Sequence, residues 1–133
     1  MIFPNAQIIM LPMNDTQTTL QQIKDAIAQF TAARDWQQFH DLKNLAMAVA
    51  SEAAELMAHF RWSNPAVDPP IMDDPVSARD IRHEVADVLL LLAEFANVAK
   101  IDLAEAVQEK MAINQARYPV EKARGSAAKY NRL

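Results

Sequence analysis

The chain contains no cysteine, so it has neither disulfides nor thiolate metal sites, and any metal it binds must be held by oxygen or imidazole. A single glycine and the absence of long polar tracts argue against a turn-rich all-β fold and against disorder. Positive charge is also scarce. The net charge of −4 and a pI near 5.3 leave no basic footprint for duplex nucleic acid, and a phosphorylated ligand would need local cations or a metal. No apolar run is longer than that of Val88 to Ala93, which is far too short to cross a bilayer. The opening residues, MIFPNAQIIMLPM, are apolar but carry no basic leader or clear small-residue cleavage site. That argues against a signal peptide and makes a cytoplasmic protein the expectation. Met13 opens a more ordinary stretch, MNDTQTTL, so residues 1–12 are expected to be a loosely attached arm or the product of an upstream start.

What is present is helical in character. At 133 residues, 51% hydrophobic and 23% charged, the chain has the size of one domain able to bury a core without staples. The expected organisation is an N-terminal arm over 1–13, a domain over 14–119 and a basic tail over 120–133. Leu20, Ile23, Ile27 and Phe30 trace a stripe that predicts a first helix from about Thr16 to Ala33, capped by Asn14 or Asp15. RDWQQFH, residues 34–40, lacks such a stripe and reads as a connection whose Trp and Phe either plug the top of a bundle or pack near a site. A second helix is expected from Asp41 to Phe60 or Trp62, then an irregular Pro- and Asp-rich connection over 63–77. A third should run from Ser77 to Lys100. A fourth should open on the capping-box-like DLAE at Asp102 and end near Tyr118, before Pro119. Apolar residues from Val85 to Ala99 almost encircle the third helix, and such a helix is usually buried on all sides. Four helices supply too little cover for that. The predicted fold is therefore an all-α four-helix bundle whose core is completed by homo-oligomerisation, as a dimer or tetramer.

Two of these stripes carry an acid where a core residue is due. Glu52 fills the gap in Leu45, Val49, Leu56, Phe60, and Glu84 fills the gap in Ile81, Val88, Leu91, Phe95. Glu55 and Asp87 follow three residues later, projecting from the same helix faces. A lone E-x-x-E is ordinarily a solvated face. Two such pairs at matching points on two apolar stripes are different, because a carboxylate buried without a partner is costly or is forced to protonate. Lys43 and Arg82, the nearest basic candidates, are too few to neutralise four acids. Clustered carboxylates with no Cys and little His suit Mg²⁺, with Mn²⁺ as a substitute. Mg²⁺ commonly shares its shell with substrate phosphates, so metal-assisted phosphoanhydride hydrolysis is the expected chemistry. A ferritin-like di-iron bundle is the rival, but it needs Glu-x-x-His on two helices. The chain has only Asp80-Ile81-Arg82-His83 in that form, with His40 and His59 elsewhere.

At these residues the chain resembles the MazG-like all-α nucleoside triphosphate pyrophosphohydrolases, and within them the dCTP pyrophosphatase branch. The family's E-x-x-E and E-x-x-D read here as Glu52-Ala53-Ala54-Glu55 and Glu84-Val85-Ala86-Asp87, with 28 residues between them. RDWQQFH looks like the branch's RDWxQFH, followed as expected by Lys43-Asn44-Leu45, and Trp62 stands where the family has a Trp after the first acidic helix. Lys110-Met111-Ala112-Ile113-Asn114 and Arg117-Tyr118-Pro119 match KMxxN and RYP. The likeness runs from about Leu20 to Tyr130, and its specificity lies in the combination.

The resemblance implies Mg²⁺-dependent cleavage of a (deoxy)nucleoside triphosphate to the monophosphate and pyrophosphate, in nucleotide-pool sanitation. It implies that Glu52, Glu55, Glu84 and Asp87 hold the metal and that a carboxylate not saturated by metal positions or deprotonates the attacking water. Trp36 and Trp62 would flank the base, with His40 and Lys43 beside the nucleotide. Lys110, Asn114 and Arg117, one turn apart in succession, would meet triphosphate oxygens. Two departures bear on the substrate. Ile27 replaces a histidine of the dCTP branch and Leu91 replaces a tyrosine, changes that fall on the base or sugar pocket rather than the metal. The alternative from another class is a non-catalytic, nucleotide-binding helical module with a regulatory role.

Overall fold

The computed structural model describes residues 12–132, so the expected N-terminal arm lies, apart from Pro12 and Met13, outside the described residues. They form an all-helical chain with no strand among them: α1 (Leu20–Ala32), α2 (Leu42–Ala58), α3 (Pro75–Ala99), α4 (Leu103–Arg117) and the short α5 (Val120–Ala123). The chain divides into two compact units, one up to Lys100 and the other from Ile101. The domain expected over 14–119 spans both.

In the first unit α1 and α2 each pack on α3. Helix α1 starts at Leu20, the first residue of the apolar stripe, and later than the start near Thr16 expected from Asn14 or Asp15 as caps. Asn14 uses its side chain to bond the backbone of Thr16 and the hydroxyl of the same residue, closing a turn instead of capping a helix. The cap is Thr19, whose hydroxyl accepts from the Gln22 amide while the Gln22 side chain accepts from the Thr19 amide. RDWQQFH is a true break. Asp35 takes a left-handed conformation (φ 53°), and Trp36–Phe39 form a single 3-10 turn before Asp41 caps α2 through the Asn44 amide. Helix α2 stops at Ala58, short of the expected Phe60 or Trp62, and leaves Trp62 on the following loop. Helix α3 starts two residues earlier than expected. Asp74 accepts from the Ser77 amide, a bond that holds its carboxyl below the usual value, and Pro75 fills the first helical position, where a missing amide hydrogen costs nothing. Lys100, in a left-handed conformation, ends it.

The core is small. Leu45 on α2 and Ile81, Ala93 and Ala96 on α3 are buried, and Thr31 on α1 is buried with its hydroxyl bonded to the Ala28 carbonyl. Asn97 of α3 donates to the Lys24 carbonyl of α1 at 2.8 Å, tying the two helices together. Much of what the sequence offers to a core faces outward instead: Met47, Met57 and Phe60 on or just after α2, and Val85, Leu89, Leu92 and Val98 on α3 are exposed.

In the second unit, Asp102 caps α4 through the Glu105 amide, as DLAE predicts. The stretch expected to be a basic tail has local structure: α5 follows Pro119, and Tyr130 meets Tyr118 edge-on at 6.0 Å with the Arg117 guanidinium 4.8 Å from its ring centre.

Leu45, 2% exposed, should cost about 2–5 kcal/mol when cut to Ala, whereas Leu20→Ala, at a 41% exposed position, should fall within about 0.5 kcal/mol of wild type. Urea unfolding of both variants checks this. Equal losses would mean that the core is not where these helices place it.

Candidate active site

The packing of α2 on α3 brings Glu52, Glu55 and Glu84 together, with one carboxylate oxygen from each within 4.8 Å of the others. Glu52 and Glu84 are half-buried and Glu55 is exposed. The three-residue step sets Glu55 beside Glu52 on α2, and Glu84 arrives from α3 because its gap in the apolar stripe faces the same interface. Asp87 lies outside that cluster of oxygens, yet its charge is felt there. Burial first, then the negative charges of Glu55, Asp87 and Glu84, push the Glu52 carboxyl above its usual value. Among the described residues none of the four acids pairs with Lys or Arg, so the partners considered from sequence, Lys43 and Arg82, do not neutralise them. The one basic group at the cluster is the His59 imidazole, whose Nε2 is 4.0 Å from Glu84 Oε1. Sequence reasoning passed over His59. The signal was available, since His59 follows Glu55 by four residues and so shares its helix face.

Three oxygens converging without a fixed cation suit a hard divalent ion, and one bound there would relieve the repulsion that raises Glu52. The donor set therefore fits a hard divalent cation.

A second group of predicted residues gathers at the 3-10 turn. Trp36 stacks edge-on against Phe30 at 5.7 Å and lies 6.3 Å from the His40 ring, and the Arg34 guanidinium sits over Phe30 at 3.5 Å. Trp36 is 43% exposed, so it both plugs the end of α1 and presents a ring face outward. Lys43, in the first turn of α2, is exposed. Trp62 is 90% exposed on the loop beyond α2 and has no ring partner among the described residues. That loop lines an open pocket of about 570 Å³, with Phe60, Ser63, Pro65, Pro70, Ile71 and Met72 around it. Lys110, Asn114 and Arg117 belong to α4 in the second unit, where Asn114 is half-buried and the other two are exposed. Ile27 and Leu91, the two departures from the dCTP branch, are both half-buried.

No family model matches the chain. It is 40% identical to the rat protein dCTP pyrophosphatase 1 over 117 residues, which span 88% of this chain and 69% of that one. The human protein of the same name is 38% identical over 117 residues, with the same coverage. Among solved structures, a pyrophosphatase from Archaeoglobus fulgidus superimposes with a TM-score of 0.65 at 31% identity, covering 81% of this chain and 99% of that one.

The raised Glu52 carboxyl has a consequence for stability. Above its ordinary value of 4.5, the folded chain retains a proton that the unfolded chain has lost, so this group's contribution falls as pH rises through that window. In metal-free protein, Glu52→Gln should therefore gain thermal stability relative to wild type between acid and neutral pH, and millimolar Mg²⁺ should reverse the order. Melting curves with and without the ion check it. A wild type that gains on the variant as pH rises without metal contradicts the cluster.

Proposed function

The chain belongs to the dCTP pyrophosphatase family, and on that premise we propose that it hydrolyses dCTP or a related deoxynucleoside triphosphate with Mg²⁺ held by Glu52, Glu55 and Glu84, assisted by Asp87. It is a hydrolase of nucleoside triphosphate phosphoanhydride bonds with the all-α MazG-like fold. The products are the monophosphate and pyrophosphate.

The observation that carries the metal reading is the convergence of three carboxylate oxygens within 4.8 Å of one another, none of the three acids paired with Lys or Arg among the described residues. Bound there, Mg²⁺ would supply charge neutralisation of the phosphates and of the developing negative charge on transferred oxygens. The chain's own contribution is positional. Glu52 and Glu84 hold their carboxylates at a fixed separation because α2 and α3 are packed together. A carboxylate of the four that the metal does not saturate would position or deprotonate the attacking water. His59 Nε2 lies 4.0 Å from Glu84 Oε1, beyond direct hydrogen-bond distance, and is the nearest imidazole to that carboxylate among the described residues. Trp36 and Trp62 offer ring faces for the base, and His40 and Lys43 lie at the same end of α2; on α4, Lys110, Asn114 and Arg117 follow one another at helical spacing, a donor set suited to phosphate oxygens. Ile27 and Leu91 remove hydrogen-bonding groups from the base and sugar pocket, so preference for an apolar substituent on the base fits this chain.

The exposed apolar residues of α2 and α3 support a homo-oligomer, in keeping with a third helix apolar around most of its circumference. The described residues contain no helix long and apolar enough to cross a membrane.

Incubation with a panel of canonical and base-modified deoxynucleoside triphosphates should release monophosphate and pyrophosphate in equal amounts, only with a divalent ion. Orthophosphate with diphosphate would refute the cleavage position. Glu84→Gln and Glu52→Gln should each lower kcat by about 100-fold or more. A Glu84→Gln enzyme of normal rate would remove the site, and nucleotide binding without turnover would favour the regulatory module.

A further inference from the structure

Glu94 is the one buried ionisable side chain among the described residues, 3% exposed on α3, two turns beyond Asp87 in a segment that reads as apolar. Its two oxygens are both used. Oε1 is 3.1 Å from His40 Nδ1, and Oε2 accepts from the Asn97 amide at 3.3 Å, while that amide also donates to the Lys24 carbonyl of α1 at 2.8 Å. A carboxylate oxygen accepts, which assigns the hydrogen of this contact to Nδ1 of His40. The imidazole is thereby held beside Trp36, 6.3 Å between ring centres, and its Nε2 has no partner among the described residues. Replacing a buried ion pair by apolar side chains is often neutral or stabilising. A carboxylate placed here is thus better explained by a ring that must be aimed than by the strength of the helix packing.

We infer that Glu94 is a positioning residue: anchored to α1 through Asn97, it fixes the His40 ring so that Nε2 stands free for the nucleotide next to Trp36. This rests on the proposed nucleotide contact of His40, and the two separate experimentally. With dCTP and Mg²⁺ as probe, Glu94→Leu should raise KM about tenfold, the scale seen when the group orienting a histidine ligand is removed, with kcat and melting temperature little changed. His40→Ala should give a similar rise, and the double variant no more than either alone. Long-range ¹H–¹⁵N spectra of the full chain should show the His40 hydrogen on Nδ1 in wild type and redistributed in Glu94→Leu. Should the Leu variant not fold, Glu94→Gln, which keeps an acceptor, should raise KM less than His40→Ala does. Several results would overturn the inference. One is a KM rise in His40→Ala with none in Glu94→Leu, which leaves the nucleotide contact standing. Another is multiplication of the two effects in the double variant. A third is a wild-type His40 neutral with its hydrogen on Nε2. An unchanged KM in His40→Ala removes the nucleotide contact and the inference with it.

Discussion

Like charges forced together by helix packing are the constraint on which this molecule turns. Glu52, Glu55 and Glu84 converge because α2 and α3 pack on one another, and the same packing that buries Leu45 and Ile81 half-buries two of the carboxylates. The fold therefore does work against its own electrostatics at this point, which registers as the raised Glu52 carboxyl. With no Lys or Arg drawn in, the repulsion is left for a ligand to relieve. In the proposed reaction a cation bound there would meet the phosphates of the nucleotide, so that a stability deficit becomes an affinity.

Helix α3 is the common support. Its first half carries Glu84 against α2, and its second half carries Glu94 and Asn97, which reach His40 and the backbone of α1. Ten residues at about 1.5 Å per residue separate Glu84 and Glu94 by roughly 15 Å along the axis, comparable to the length of an extended nucleoside triphosphate. One rigid element thus carries both Glu84 of the acid cluster and Glu94, which holds the His40 end of the 3-10 turn.

The sequence was most legible where periodicity met an anomaly. Glu52 and Glu84 stood out because each interrupts an apolar stripe, and the break at RDWQQFH was visible because no stripe runs through it. The helix ends were harder to read. Asn14 offered a cap, but its side chain closed a turn on Thr16, and Thr19 with Gln22 made the cap instead. Glu94 was passed over because its neighbours, Ala93, Phe95 and Ala96, mask a single polar residue, and its partner His40 lies 54 positions away. A pairing of that range leaves no local pattern. His59 was missed for the opposite reason: its helical spacing from Glu55 was plain, but its closeness to Glu84 depends on how α2 meets α3.

Anomalous diffraction from crystals grown with Mn²⁺ tests the central claim most directly. The account predicts a peak bonded to carboxylate oxygens of Glu52, Glu55 and Glu84. A metal bound elsewhere, with these acids instead neutralised by Lys or Arg side chains, would contradict it.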